Sequence, residues 1–414
     1  MLNLCNTLTG KTGPFQPSED AKVKMYTCGP STYQPAHIGN YRTFLFEDIL
    51  QRYLEYLGYK VTRLITLTDI EDKAIAQAKK ENVSVEVLTD RNEKLFFKDF
   101  ELLRIKRPDY TVRASTIVDQ AVSLIRILMG KGTAYKYTHE NAENVYFDPQ
   151  KFPEFGKLAH LDMKKWPKTK RRFHMDTYPG TPWNKGDFVL WHGCRKGETV
   201  CWDAEVGRGR PAWNIQDAAM VTKHMGFAVD VACGGIDNVV RHHDYTLAVA
   251  EAVSGKEFAK YWLHGAHLFV DGKKMSKSIG NVVYPADLTA KGYSGAHIRF
   301  FLIYGHYRKR KNFTFKNLEK TSSKLNQLGI MMKDLQTAKS TTPNAHARGL
   351  ADGIASNFEK FMNDDLDVKN AFKALFANVS KLHELAKKNK LTTQDTNIAL
   401  RNLRKVDTVL QVIF

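Results

Sequence analysis

Residues 23 to 27, Val-Lys-Met-Tyr-Thr, alternate apolar and polar positions as a half-buried strand does and run into Gly29 and Pro30, which stop regular structure. Downstream, Phe44, Phe46, Ile49, Leu50, Tyr53, Leu54 and Leu57 recur at helical spacing, and Gly58 stands where a helix C-cap belongs. A β-branched run over 60–69 predicts a second strand, and a second helical pattern begins at about Asp72. Strand, helix, strand, helix at this spacing predicts an α/β fold with a parallel, doubly wound sheet. Ligands of such sheets sit at the carboxyl ends of the strands, so the residues just after positions 27 and 68 are the first place to look for a site.

The rhythm then breaks. Residues 114–209 are irregular and rich in Lys, Gly, Pro and Trp, as an insertion would be, and the α/β pattern resumes after Pro211. There a helical stretch near Asp217–Met225, a strand-like run over 228–235 and a helix over 243–254 capped by Gly255 follow one another. Beyond Phe313 amphipathic helix dominates, interrupted by a polar linker over 337–348. The predicted organisation is a split α/β domain, 1–113 and 210–335, holding an insertion, 114–209, and followed by a helical bundle, 349–414.

Composition narrows the class. No run of about 18 apolar residues occurs and the first thirteen residues lack a signal-peptide core, so a soluble, cytoplasmic protein without a membrane partner is expected. The five cysteines are odd in number and form no Cys-x-x-Cys pair, which predicts reduced thiols. Lys and Arg exceed Asp and Glu by 62 − 44 = 18, the electrostatic footprint of a partner carrying many phosphates, with a merely solubilising surface as the plainer alternative. Two basic clusters stand out: Lys164, Lys165, Lys168, Lys170, Arg171 and Arg172, and Arg308 through Lys311.

Two motifs carry chemistry. Residues 28–40, Cys-Gly-Pro-Ser-Thr-Tyr-Gln-Pro-Ala-His-Ile-Gly-Asn, lie between a predicted strand and helix. Glycine there lets backbone approach a nucleotide, His37 offers a ring N–H to phosphate oxygens, and a helix beginning near Asn40 adds its N-terminal dipole. Far downstream, residues 272–281, Gly-Lys-Lys-Met-Ser-Lys-Ser-Ile-Gly-Asn, set Lys274 and Lys277 three apart on a glycine-flanked loop able to close over a pyrophosphate leaving group. Either motif alone is most simply a turn or a mobile loop; together, in this order, they point to nucleotide chemistry.

The His-Ile-Gly-Asn and Lys-Met-Ser-Lys-Ser segments resemble the two signatures of class I aminoacyl-tRNA synthetases. Within that class the chain is most similar to cysteinyl-tRNA synthetases, through stretches such as residues 25–50, 187–193, 207–220, 234–252 and 261–281. The resemblance implies a Rossmann-type catalytic domain split by a connective insertion, ATP and an amino acid bound between the two signatures, and transfer of the aminoacyl group to tRNA. Carried over by position, His37 and Asn40, with Gly29 and Gly39 beside them, would bind ATP. Gly235 and Asp237 would hold ribose or substrate, and Lys274 and Lys277 would steady the transition state. Asn40 stands where a second histidine is usual.

The resemblance also implies a zinc ion held by two cysteines, a histidine and a glutamate, which would grip a substrate thiolate. Cys28 and His242 match two of these ligands, but Asp217 stands for the second cysteine and Thr246 for the glutamate. Either zinc stays on Cys28, Asp217 and His242, or the metal is gone and the pocket reads another side chain; Cys233 and His243 are nearby in sequence. The chain ends without the usual small anticodon-binding domain, so a separate anticodon-recognition partner enters the expectation. Two alternatives accompany it: a paralogue that passes the activated amino acid to a small amine or a carrier protein, as the mycothiol-pathway cysteine ligase does, and a silent RNA-binding homologue.

Overall fold

The computed structural model describes residues 1–174, 185–276 and 279–414. A hairpin of β1 (Asn3–Asn6) and β2 (Lys11–Pro14) precedes β3 (Lys22–Thr27), α1 (Ile38–Tyr56), β4 (Lys60–Leu67), α2 (Asp72–Glu81), α3 (Val85–Leu102) and β5 (Tyr110–Arg113). Next come α4 (Val118–Gly130) and the strands β6 (Ala134–His139), β7 (Ala142–Phe147), β8 (Phe188–Gly193) and β9 (Gly209–Pro211), which form their own antiparallel sheet. Then follow α5 (Trp213–Met225), β10 (Val229–Gly235), α6 (Asp244–Ser254) and β11 (Ala259–Gly265). Short strands β12 (Leu268–Val270), β13 (Lys273–Lys274) and β14 (Lys311–Phe313) make a third sheet around α7 (Pro285–Thr289) and α8 (Gly295–Ile303). The chain finishes in α9 (Phe315–Leu335), α10 (Ala345–Met362), α11 (Val368–Lys387) and α12 (Thr393–Leu410).

The central sheet is parallel, in the order β11-β10-β3-β4-β5. Its direction of growth reverses between β3 and β10, as in a doubly wound fold. Because side chains alternate across a strand, successive residues feed two separate cores. Met25, Ile65, Val231 and Cys233 pack on the face with α1, α3 and the C-terminal helices, whereas Tyr26, Leu64 and Ala232 pack on the face with α4, α5 and α6.

Two expectations need correction. Cys194 and Cys201 are joined as a disulfide, their Cα atoms 6.3 Å apart, because the turn after β8 folds back on itself and brings the two thiols face to face. Spacing along the chain held no sign of that pairing, while Cys5, Cys28 and Cys233 are free thiols as expected. The basic clusters are also partly structural. Lys170 pairs with Asp148 and Asp187, and the Arg172 guanidinium lies 3.7 Å from the Tyr137 ring centroid. Lys311 donates to Tyr304 O at 2.6 Å, and its burial pushes the ammonium pKa down to about 7. Lys164, Lys165 and Lys168 remain exposed. Among the described residues no helix is long and apolar enough to cross a membrane.

The bundle is fixed to the sheet domain by buried charge. Arg299 of α8, with no exposed surface, donates to Asp48 Oδ2 of α1 at 2.6 Å and to the carbonyls of Leu410 and Leu103 at 2.7 and 3.0 Å. Burial alone would raise the Asp48 carboxyl, but Arg299, Arg52 and Arg63 outweigh it and hold the group below the usual carboxylate range. Arg299→Leu removes one partner of this pair and leaves Asp48 buried with fewer counter-charges, so it is expected to cost about 3–5 kcal/mol in urea unfolding monitored by circular dichroism. An unchanged unfolding midpoint would show that the pair does not anchor the bundle.

Candidate functional site

The loops at the carboxyl ends of β3 and β10 lie side by side, with Asn238 Nδ2 of one 3.5 Å from Cys28 Sγ of the other. His37 is the N-cap of α1: its Nδ1 accepts the Asn40 backbone N–H at 3.2 Å while Asn40 Oδ1 accepts the His37 N–H at 3.0 Å. The helix therefore begins at Ile38, two residues earlier than the sequence pattern suggests, because this reciprocal cap satisfies the first turn. With Nδ1 engaged as an acceptor, the neutral ring carries its proton on Nε2. Asn40 in place of a histidine thus has a structural use, as the partner that closes the cap. Gly29 has no space for a side chain, since a Cβ there would collide with the Thr66 carbonyl.

The second signature comes to the same place from the other half of the chain. Ile38 N–H donates to Val283 O at 3.0 Å, and a Cβ on Gly39 would lie 3.5 Å from the Met275 methyl. Lys274 sits exposed on β13, and the loop beyond it is tied by Asn281, which accepts from Ser276 N–H at 2.8 Å and donates to Lys274 O at 3.2 Å. Lys277, the other lysine of the motif, lies outside the described residues.

Gly235 ends β10 and opens the turn that carries Asp237. A Cβ on Gly235 would stand 2.7 Å from Asp237 Oδ1 and 3.8 Å from Thr43 Oγ1 of α1, so the glycine sits where the turn and the helix start meet. Asp237 Oδ1 is 4.0 Å from His267 Nδ1. Burial lowers the His267 pKa, Asp237 opposes this, and the charges of Lys274 and Arg310 lower it further. His267 and Arg310 are therefore part of the same charged rim; the sequence offered Arg310 only as one of a basic cluster and His267 only within a matching stretch, with no sign that either faces Asp237.

Deeper, the expected metal residues meet. Cys28 Sγ is 3.0 Å from His242 Nε2, which is 3.0 Å from Asp217 Oδ2. Asp217 also accepts from the Tyr26 hydroxyl. Burial would raise the Asp217 carboxyl, but His242 and the hydrogen bonds from Tyr26 and Thr66 hold it below its ordinary range. Burial, with Asp217 and Glu47 behind it, pushes the Cys28 thiol well up. Thr246 contributes nothing to this cluster, since its hydroxyl turns back to His242 O at 3.1 Å. Cys233 is likewise excluded: its side chain packs in the core on the opposite face of the sheet. The donors that do converge, a thiol, an imidazole and a carboxylate, fit the chemistry of a zinc ion.

A cleft of about 1030 Å³ opens beyond the carboxyl end of β4, lined among others by Asp72, Lys79, Glu86, the disulfide-closed loop 197–202 and Arg210. Arg210 pairs with Asp72 across its floor.

Comparisons with known proteins identify the family and the fold. The model of the family described as tRNA synthetases class I (C) catalytic domain matches residues 14–323. A protein named Cysteine--tRNA ligase from Chlamydia pneumoniae is 36% identical over 412 residues, covering 99% of this chain and 85% of the relative. Its namesake from Protochlamydia amoebophila is 32% identical, covering 100% of this chain and 86% of the relative. Among solved structures, the methionyl-tRNA synthetase of Mycobacterium tuberculosis bound by methionyl-adenylate superposes with a TM-score of 0.70 at 14% identity, over 95% of this chain and 92% of that one. A leucyl enzyme from Agrobacterium radiobacter K84, in a ternary complex with tRNA, superposes with a TM-score of 0.67 at 12% identity, over 97% of this chain and 85% of that one. These two likenesses speak to the fold alone. With its catalytic segment matched by the family model and its full length matched by these relatives, the chain belongs to the class I aminoacyl-tRNA synthetases, in the family of the cysteine--tRNA ligases, and is an ATP-dependent aminoacyl-tRNA ligase.

Proposed function

We propose that the chain activates cysteine as its adenylate and esterifies tRNA with it. The carrying observation is the convergence, over one sheet edge, of the loop around His37 and the loop around Lys274, which start more than two hundred residues apart. Adenylate formation needs an amino-acid carboxylate oxygen to attack the α-phosphorus of ATP while the bond to pyrophosphate breaks. Little covalent chemistry falls to the protein, which must hold both reactants in line and neutralise charge on the phosphates. The N-terminus of α1 and the His37 Nε2–H face such an anion, Asn40 keeps the cap closed, and Gly29 and Gly39 let backbone approach the nucleotide. Asp237, beside Gly235, accepts from ribose hydroxyls. Lys274, together with Lys277, stabilises the departing pyrophosphate.

Cys28, Asp217 and His242 lie at the side-chain end of this arrangement and are the residues that would hold a zinc ion; bound there, the ion would supply a soft Lewis acid that prefers a thiolate to a hydroxyl. The chain's own part is to bury the donors, with Tyr26 fixing the carboxylate of Asp217. The cleft beside β4 offers a route for an unstacked 3′ end, and the excess of basic residues favours tRNA over a small amine as acceptor.

Exchange of labelled pyrophosphate into ATP, tested over all twenty amino acids, should respond most strongly to cysteine; a dominant response to another amino acid would overturn the substrate assignment. Lys274→Ala should lower the exchange rate roughly 10²- to 10³-fold with little change in unfolding midpoint, as loss of a transition-state charge contact does. Charging of total tRNA should weaken steeply between low and physiological salt, with log K linear in log salt concentration. A salt-independent acceptor reaction would instead favour a small amine.

A further inference from the structure

Beside the three residues already named stands a fourth donor. His243, fully buried, places a ring nitrogen in a group with Cys28 Sγ and a His242 nitrogen, all within 4.8 Å of one another. A tetrahedral zinc with bonds of about 2.0–2.3 Å sets its ligand atoms roughly 3.3–3.8 Å apart, so these donors need only small shifts to share one ion. We propose that His243 is a ligand of this centre, completing with Cys28, His242 and Asp217 a Cys-His-His-Asp set for a zinc-class divalent cation. The inference deepens the reading above, since it concerns the amino-acid end of the same site.

Three further observations converge on it. His243 Nε2 is buried and has no hydrogen-bond partner among the described residues, whereas its Nδ1 lies 2.8 Å from His264 Nε2. His264 Nδ1 in turn lies 2.8 Å from Thr7 Oγ1. If His243 Nδ1 donates along this chain, Nε2 keeps a lone pair; the opposite tautomer would strand a buried N–H, the rarer defect. A histidine whose far nitrogen is held by a fixed acceptor is the arrangement that metal-bound imidazoles show. Next, the backbone is bent to present both rings. Arg241 has φ of +73° and Val240 an extended ψ of 131°, which interrupts the helix just before His242 and aims the pair at the carboxyl end of the sheet. Finally, Gly234 leaves the necessary space, because a Cβ there would lie 2.5 Å from His243 Cε1 and 3.0 Å from Nε2.

The test uses the full chain, stripped with a chelator and titrated with zinc, and separately with cobalt, whose absorption reports the ligands directly. Wild-type protein should bind about one equivalent, and its cobalt form should show a thiolate charge-transfer band that Cys28→Ser abolishes. His243→Gln should weaken zinc at least tenfold and alter the cobalt ligand-field spectrum, with circular dichroism of the metal-free protein unchanged. His264→Gln, which replaces no ligand, should weaken zinc about 10- to 100-fold through the orientation of His243. Wild-type zinc affinity in His243→Gln overturns the proposal, as does failure of the unmodified protein to take up zinc. Should His243→Gln not fold, unchanged affinity in His264→Gln overturns it equally. Pyrophosphate exchange by the unmodified protein measures the proposed reaction separately, so loss of the metal proposal and loss of the activation reaction remain distinguishable.

Discussion

The parallel pairing of β3 with β10 is the constraint on which the rest of the molecule depends. Met25, Tyr26 and Thr27 lie in register with Val231, Ala232 and Cys233, two segments separated in the chain by the whole antiparallel sheet of β6 to β9. This is the point where the sheet reverses its order of growth, and the loops leaving the two strands diverge to opposite faces, opening a crevice between them. The crevice receives Cys28 from one strand and Gly235 and Asp237 from the other. A slip of one residue in this register would turn Tyr26 away from Asp217 and into the opposite core.

From that pairing the two functional ends of the site separate naturally. On the outer rim, the start of α1, the turn after β10 and the β12-β13-β14 sheet bring together a helix dipole, one carboxylate and several cations, a setting suited to polyphosphate and ribose. On the inner side, the face shared by α5 and α6 buries a thiol, a carboxylate and imidazoles in mutual contact. Burial sets the inner region apart chemically: with His264 and His242 it holds His243 well below its ordinary pKa, and alone it pushes His264 down to about 3. Neutral imidazoles are what a metal or a soft side chain requires.

The buried pair of Asp48 and Arg299 plays a comparable part for the C-terminal helices. Arg299 of α8 ties α1 to the end of α12, and Arg308, between α8 and β14, pairs with Asp365 in the loop after α10, so the segment downstream of the Lys274 loop is held to both the sheet domain and the C-terminal helices. Basic residues that count toward an RNA-binding surface in a composition total are in this way partly spent inside the protein.

By itself, the sequence determined the parallel α/β alternation, the helical C-terminal third and the two nucleotide signatures, because strand and helix periods and glycine-flanked motifs are local patterns that survive in any context. It also supplied Cys28, Asp217 and His242 through their likeness to a known ligand pattern. Only the tertiary structure decided which of the neighbouring candidates belong with them. Cys233 is adjacent to the site in sequence yet faces the other core, since side chains alternate across β10. Thr246 spends its hydroxyl on its own helix, and His243 is turned inward by a backbone kink that no periodicity announces. The Cys194–Cys201 disulfide and the chain from Thr7 through His264 to His243 were illegible for the same reason: each joins residues by distance in space, which is set by the packing of elements and not by their order along the chain.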